Sequence, residues 1–168
     1  MELNIHPVVV HFPIALLTLY ALFELARFKK LTNQTWYRPV KLAFLFLGTL
    51  FASLAAKTGE IAAGEGTNTI VEMHERMANM SIWIFSILAV AYLVALFFEH
   101  PNMQKYVQRM GSLGPLLRKL SGIITMISPL LALAGLFTIT ATGALGGAMV
   151  YGPDVDPIVR FIYDLLIN

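Results

Sequence analysis

Residues 77–98 read MANMSIWIFSILAVAYLVALFF, a run without Asp, Glu, Lys or Arg. Roughly 20 apolar residues in a helix are enough to cross the hydrocarbon core of a bilayer. Charge brackets the run on both sides, with EMHER before it and EH after it. It predicts a transmembrane helix from about residue 71 to 98. Three more stretches have the same character, at about 7–28, 40–63 and 120–151, and Pro129 predicts a kink near the middle of the last. The four stretches use most of the 168 residues, and 57% of the chain is hydrophobic against 13% charged. Mean hydropathy is +0.70. The predicted fold is all-α: an integral membrane four-helix bundle forming one domain over 1–168. Glu2 stands where a signal peptide would be basic, and no small-residue cleavage site follows, so the first span is expected to be retained.

The linkers are RFKKLTNQTWYRPVK, GEGTNT and EHPNMQKYVQRMGSLGPLLRK, rich in the Gly, Pro, Asn and charge of loops. The first holds Arg27, Lys29, Lys30, Arg38 and Lys41, and the third holds Lys105, Arg109, Arg118 and Lys119. These are nine of the twelve basic residues. Loops of this kind stay on the cytoplasmic side. Both termini and the short second loop then face outward, with eight of the ten acidic residues: Glu2, Glu60, Glu65, Glu72, Glu75, Asp154, Asp156 and Asp164. The expected location is a bacterial inner membrane with periplasmic termini. The formal charge of +2 reflects topology, or contact with anionic lipid, and predicts no nucleic-acid partner.

The tail 156–168 is too short to span. Asp156 can cap a helix with Pro157 in its first turn. Ile158, Phe161, Ile162 and Leu165 recur at helical spacing, which predicts an amphipathic helix at the outer interface or docked on a partner.

The chain has no cysteine, which excludes disulfides, thiolate metal sites and covalent c-type haem. No Ser–His–Asp order, phosphate loop or H-E-x-x-H motif is present, so hydrolase chemistry is not expected. Ionisable groups at membrane depth are costly and mark function. Two histidines are candidates. His11 lies about four residues into the first span and His74 about three into the third, each roughly 5 Å below the end of its helix. Those spans run parallel, so the rings can share one level, as two axial ligands of a haem b do. Small residues gather at the same level: Ala78 and Ser81 after His74, ASLAAKTGEIAAG in the second span, and Thr142, Gly143, Gly146 and Gly147 in the fourth. They suit either a flat cofactor or close helix packing. Arg76 and Tyr151 are candidates for haem propionates or for interface anchors. His6, five residues before His11, points about 140° away from it; it is an alternative partner, and His100 sits at the opposite face. Met73, Met77 and Met80 flank His74 and, with His6, His11, His74 and Glu60, suggest copper or zinc, or simply a packing stripe.

IHPVVVHFPIALL at the start, EIAAGEG before the histidine-bearing third span and TGALGGAMVYG near the end resemble a bacterial membrane family catalogued as domain of unknown function 2231. The matching residues are His6, Pro7, His11, Phe12, Pro13, His74, Thr142, Gly143, Gly146, Gly147 and Tyr151. Thr67 and Asn68 follow Gly66 where an acidic residue is expected. The resemblance implies a four-helix membrane domain. Some members are joined to c-type cytochrome domains, which implies redox work. The leading expectation is therefore a small membrane cytochrome b. One haem b is ligated by His11 and His74, and electrons pass between a quinol or membrane dehydrogenase and an outer-side acceptor such as a c-type cytochrome. It would be a carrier or a subunit of an oxidoreductase complex rather than a stand-alone enzyme. A copper or zinc protein and a cofactor-free scaffold or assembly subunit are the alternatives.

Overall fold

A computed structural model describes residues 5–63 and 68–167. Glu2, Glu65 and the Thr67 position lie outside them. Among the described residues there is no strand. The helices are α1 (His6–Val9), α2 (His11–Leu25), α3 (Lys29–Thr32), α4 (Tyr37–Ala63), α5 (Thr69–Glu99), α6 (Gln104–Arg109), α7 (Leu113–Met126), α8 (Ser128–Tyr151) and α9 (Pro157–Leu166). Four segments are long and apolar enough to cross a membrane: His6–Leu25, Tyr37–Ile61, Thr69–Glu99 and Ser128–Tyr151. The all-α membrane bundle is as the sequence predicts.

Local signals explain the ends. Asn68 caps α5, its Oδ1 accepting from the Val71 amide at 3.0 Å, and Asp156 caps α9 through the Ile158 and Val159 amides at 2.8 and 2.9 Å. Each bond satisfies an amide that the first helical turn leaves open. Pro7 occupies the first turn of α1, and Val10, the residue between α1 and α2, keeps helical angles. The two helices therefore hold one phase and act as a single span.

The last span departs from expectation. It is broken at Ile127, not kinked near its middle, and the apolar segment begins at Ser128. Pro129 lacks an amide hydrogen and its ring crowds the carbonyl one turn earlier, so the helix stops and restarts with the proline in its first turn. The preceding piece, α7, packs mainly on α5 and only marginally on α8.

The spans bury one apolar face and expose large apolar side chains on the other. Leu50 is 64%, Val90 59% and Leu130 70% exposed, whereas Leu17, Tyr20, Leu45, Phe85, Leu88 and Ala132 form a sealed core. A bundle in water would present polar residues outward; this surface suits lipid. A second cluster at the histidine end joins Met77, Ala141, Leu145 and Ala148 to Val159 and Ile162 of α9. The tail is thus a capped amphipathic helix, as its spacing predicts, but its apolar face docks on α8 of the same chain.

Among the described residues two glycines mark the tightest approaches between spans, Gly48 against Leu17 and Gly135 against Phe85. A Cβ at Gly135 would lie 2.6 Å from Phe85 Cζ, and the Phe85 ring is held edge-on to Tyr20 at 5.9 Å between centroids. Overpacking a core costs about 1–3 kcal/mol. Gly135→Ala should lower the thermal midpoint in detergent, and adding Phe85→Leu should recover part of the loss. A wild-type midpoint for Gly135→Ala would mean that α8 does not approach α5 this closely.

Candidate functional site: imidazoles at one end, a buried carboxylate at the other

His74 projects from α5 into the bundle. Its Nδ1 lies 2.9 Å from the Thr142 carbonyl of α8. A carbonyl only accepts, so Nδ1 carries the proton and Nε2 is the lone-pair nitrogen. The ring lies against Gly146, where a Cβ would sit 3.4 Å from His74 Cε1. This outer hydrogen bond fixes tautomer and orientation in the way that ligating histidines are commonly fixed.

His6, on the first span, lies at the same end of the bundle. His6 Nδ1 is 3.1 Å from Thr58 Oγ1, and that hydroxyl is 3.0 Å from the Ala55 carbonyl, to which it donates. The Thr58 oxygen is then the acceptor, and His6 also carries its proton on Nδ1. Gly59 makes room for it, since a Cβ there would be 3.1 Å from His6 Cε1. Two pairs of helices are thus joined at this end: α1 and α4 through His6, α5 and α8 through His74.

His11 is placed differently. It is exposed, and its Nδ1 donates to the Pro7 carbonyl of its own span at 2.6 Å. No contact between His11 and His74 occurs among the described residues. The small residues named with the site divide by what fills the space beside them. Gly146 faces His74, Gly143 faces Ile14, and Gly147 faces Val159 of the docked tail. Thr142 Oγ1 donates back to the Thr138 carbonyl at 2.8 Å, and Ser81 Oγ donates to Thr138 Oγ1 at 2.8 Å, both below His74. Ala78 is half-buried, while Arg76 and Tyr151 are exposed. Of the alternative metal ligands, Met77 is buried in the second core cluster, Met73 packs against it, and Glu60 is exposed. Among the described residues no three His, Asp or Glu side chains converge as a metal cage would require. His100 is exposed at the far end, its Nδ1 accepting from the Asn102 amide at 3.3 Å.

The opposite end holds a polar cluster that the sequence reading passed over. Glu24, in the last turn of the first span, is fully buried. Its Oε1 accepts from Arg27 and, at 2.7 Å, from the Ser128 hydroxyl. Its Oε2 accepts from Lys41 Nζ at 2.7 Å and from the Tyr92 hydroxyl at 2.8 Å. Tyr20 approaches the same oxygen at 3.4 Å. One carboxylate thus ties together the four spans. Lys41 also lies over the Tyr92 ring, 4.9 Å from its centroid, a favourable cation–π placement. Tyr37 donates to the Phe23 carbonyl and closes the end of the first span. For Arg27, just beyond that span, burial works against the charge, but the Glu24 carboxylate outweighs it and raises the guanidinium pKa above its ordinary value. A signal existed for this cluster: a lone carboxylate three residues before an arginine, facing a lysine in the first turns of the next antiparallel span.

Comparison with curated proteins and with solved structures finds no match. A family model described as a predicted membrane protein, DUF2231, matches residues 2–156, and the chain belongs to that family.

Proposed function

We propose that the protein is an electron-transfer subunit of the membrane that holds one haem b at the histidine end of the bundle, with His74 and His6 as axial ligands. One observation carries this reading. His74 is fixed through Nδ1 by a backbone carbonyl, with Nε2 as its lone-pair nitrogen, and a second imidazole with the same protonation, His6, stands at the same end of the bundle. A porphyrin supplies four ligands of its own, so its iron takes two imidazoles from the chain. The donor set fits that demand better than the three or four protein ligands of a zinc or copper centre.

Bound haem supplies a one-electron couple whose potential follows its axial ligands and surroundings. The chain's own residues supply orientation and exclusion. Thr142 and Thr58 hold the rings and raise their basicity. Gly146 and Gly59 let each ring lie against backbone. Arg76 and Tyr151, exposed on the helices that flank the rings, are the candidates for the propionates. The basic loops favour placing this end outside the cytoplasm, in a bacterial inner membrane, within reach of a c-type cytochrome or a quinone-linked subunit.

The cofactor-free reading also has specific support: Ile14, His74 and Val159 fill the spaces beside Gly143, Gly146 and Gly147. Pyridine haemochrome analysis of the full chain, purified from haem-sufficient cells, separates the two. The proposal expects one haem per chain. His6→Ala and His74→Ala should each lose the six-coordinate spectrum, and His11→Ala and His100→Ala should keep it. Loss in His11→Ala with retention in His6→Ala would move the second ligand to His11. Stoichiometric copper or zinc without porphyrin would replace the haem reading with a metal-handling one.

A further inference from the structure

Two adjoining cavities lie along α5, of about 320 and 370 Å³, and share Val94 and Leu117. Together they form one apolar groove between α5 and α7, from Phe98 and Met110 at the basic end to Trp83. Trp83 and Phe98 are fifteen residues apart on one helix, so the groove is about 22 Å long at 1.5 Å per residue. The hydrocarbon core is about 30 Å thick and each leaflet fills about half of it. One acyl chain fits within the groove's length.

The charge beside the groove decides the occupant. Met110 lines its basic end, and Arg109 precedes Met110; Leu117 lines it where the two cavities meet, and Arg118 and Lys119 follow Leu117. All three cations are exposed, and among the described residues none is in an ion pair. An apolar slot opening on uncompensated positive charge complements a molecule with an anionic head and a hydrocarbon tail. We propose that the α5–α7 groove is a binding site for an anionic phospholipid, with an acyl chain along Val94 and Leu117 and its phosphate at Arg109 and Arg118. The break at Ser128 creates the site, because it frees α7 from the line of α8 and lays it along α5. Nothing in this proposal depends on a haem.

Trp83 lines the groove and is 70% exposed, which makes it a reporter. Trp36 is the other tryptophan, and Trp36→Phe leaves Trp83 alone. The full chain carrying that substitution would be reconstituted into vesicles of dioleoyl phosphatidylcholine containing either brominated phosphatidylglycerol or brominated phosphatidylcholine. Stronger quenching by the brominated phosphatidylglycerol at equal mole fraction is expected. The preference should fall by up to about fivefold for each cation removed, in Arg109→Gln and Arg118→Gln. It should also weaken in high salt, because exposed charges are screened. Equal quenching by the two lipids would overturn the proposal, since an ordinary boundary lipid shows no preference. Quenching by neither, with the protein dimeric, would give the groove to a second copy of the chain and overturn it equally.

Discussion

Glu24→Ala should lower the stability of the folded bundle by about 3–5 kcal/mol, the usual cost of leaving a buried charge without its partner. The carboxylate is fully buried, and Lys41, its partner at 2.7 Å, has only 11% of its side chain exposed. Arg27 is half in solvent and can turn to water, so most of the cost falls on Lys41. Tyr92 and Ser128 would also lose an acceptor, and with them the bonds that hold α5 and α8 to α2. Thermal or denaturant unfolding in mild detergent measures the loss. Glu24→Gln, which keeps the shape and an oxygen acceptor, should cost less. The double change Glu24→Met/Lys41→Met should be more stable than Glu24→Ala, because an apolar pair leaves no unpaired charge. A double-mutant cycle then gives the coupling directly. Additive effects of the two single changes would show that the two side chains do not interact.

The second large effect is on His74. His74→Ala should abolish haem retention, while the helix content of the variant stays that of the wild type. The substitution removes one hydrogen bond to the Thr142 carbonyl, worth about 1 kcal/mol, which is small beside the burial that holds α5 in the bundle. Loss of the chromophore in a folded variant therefore separates a ligand from a packing residue. Gly146→Ala is the companion test. Its new methyl would stand 3.4 Å from His74 Cε1, so it should shift the spectrum or the potential without removing the haem. A Gly146→Ala protein identical to wild type in both would place the working face of His74 away from α8.

The fold was largely legible because a bilayer leaves few solutions. Every backbone polar group must be paired inside the segment, so a long charge-free run can only be a helix. The broken last span was partly legible. Pro129 gave the place of the disturbance, but not the bond of the neighbouring Ser128 to Glu24, a contact 104 residues away in the chain. The direction of each histidine was less legible. Depth along a helix puts His11 and His74 at one level, but depth says nothing about direction. At 100° per residue His6 falls in phase with Pro13, Leu17 and Glu24, whereas His11 is turned about 140° from it. Pro13, Leu17 and Glu24 are the buried face of the span. The phase was readable from the spacing alone, had the apolar face been fixed first. Glu24 was missed for a related reason. The carboxylate lies in the last turn of the first span, outside the charge-free stretch that marks it. Only the antiparallel return of α4 brings Lys41 to it.

The two ends of the bundle have different tasks. At the basic end a single buried carboxylate gathers four helices and fixes their mutual register. At the other end stand two histidines from different spans, each with its proton on Nδ1. The central claim is that these imidazoles hold a haem iron. The dithionite-reduced minus oxidised absorption spectrum of the purified wild-type chain, expressed with ample haem supply, tests it most directly. The account predicts a sharp Soret difference and a resolved α band, the signature of a six-coordinate b-type haem. A featureless difference spectrum from folded protein would contradict it.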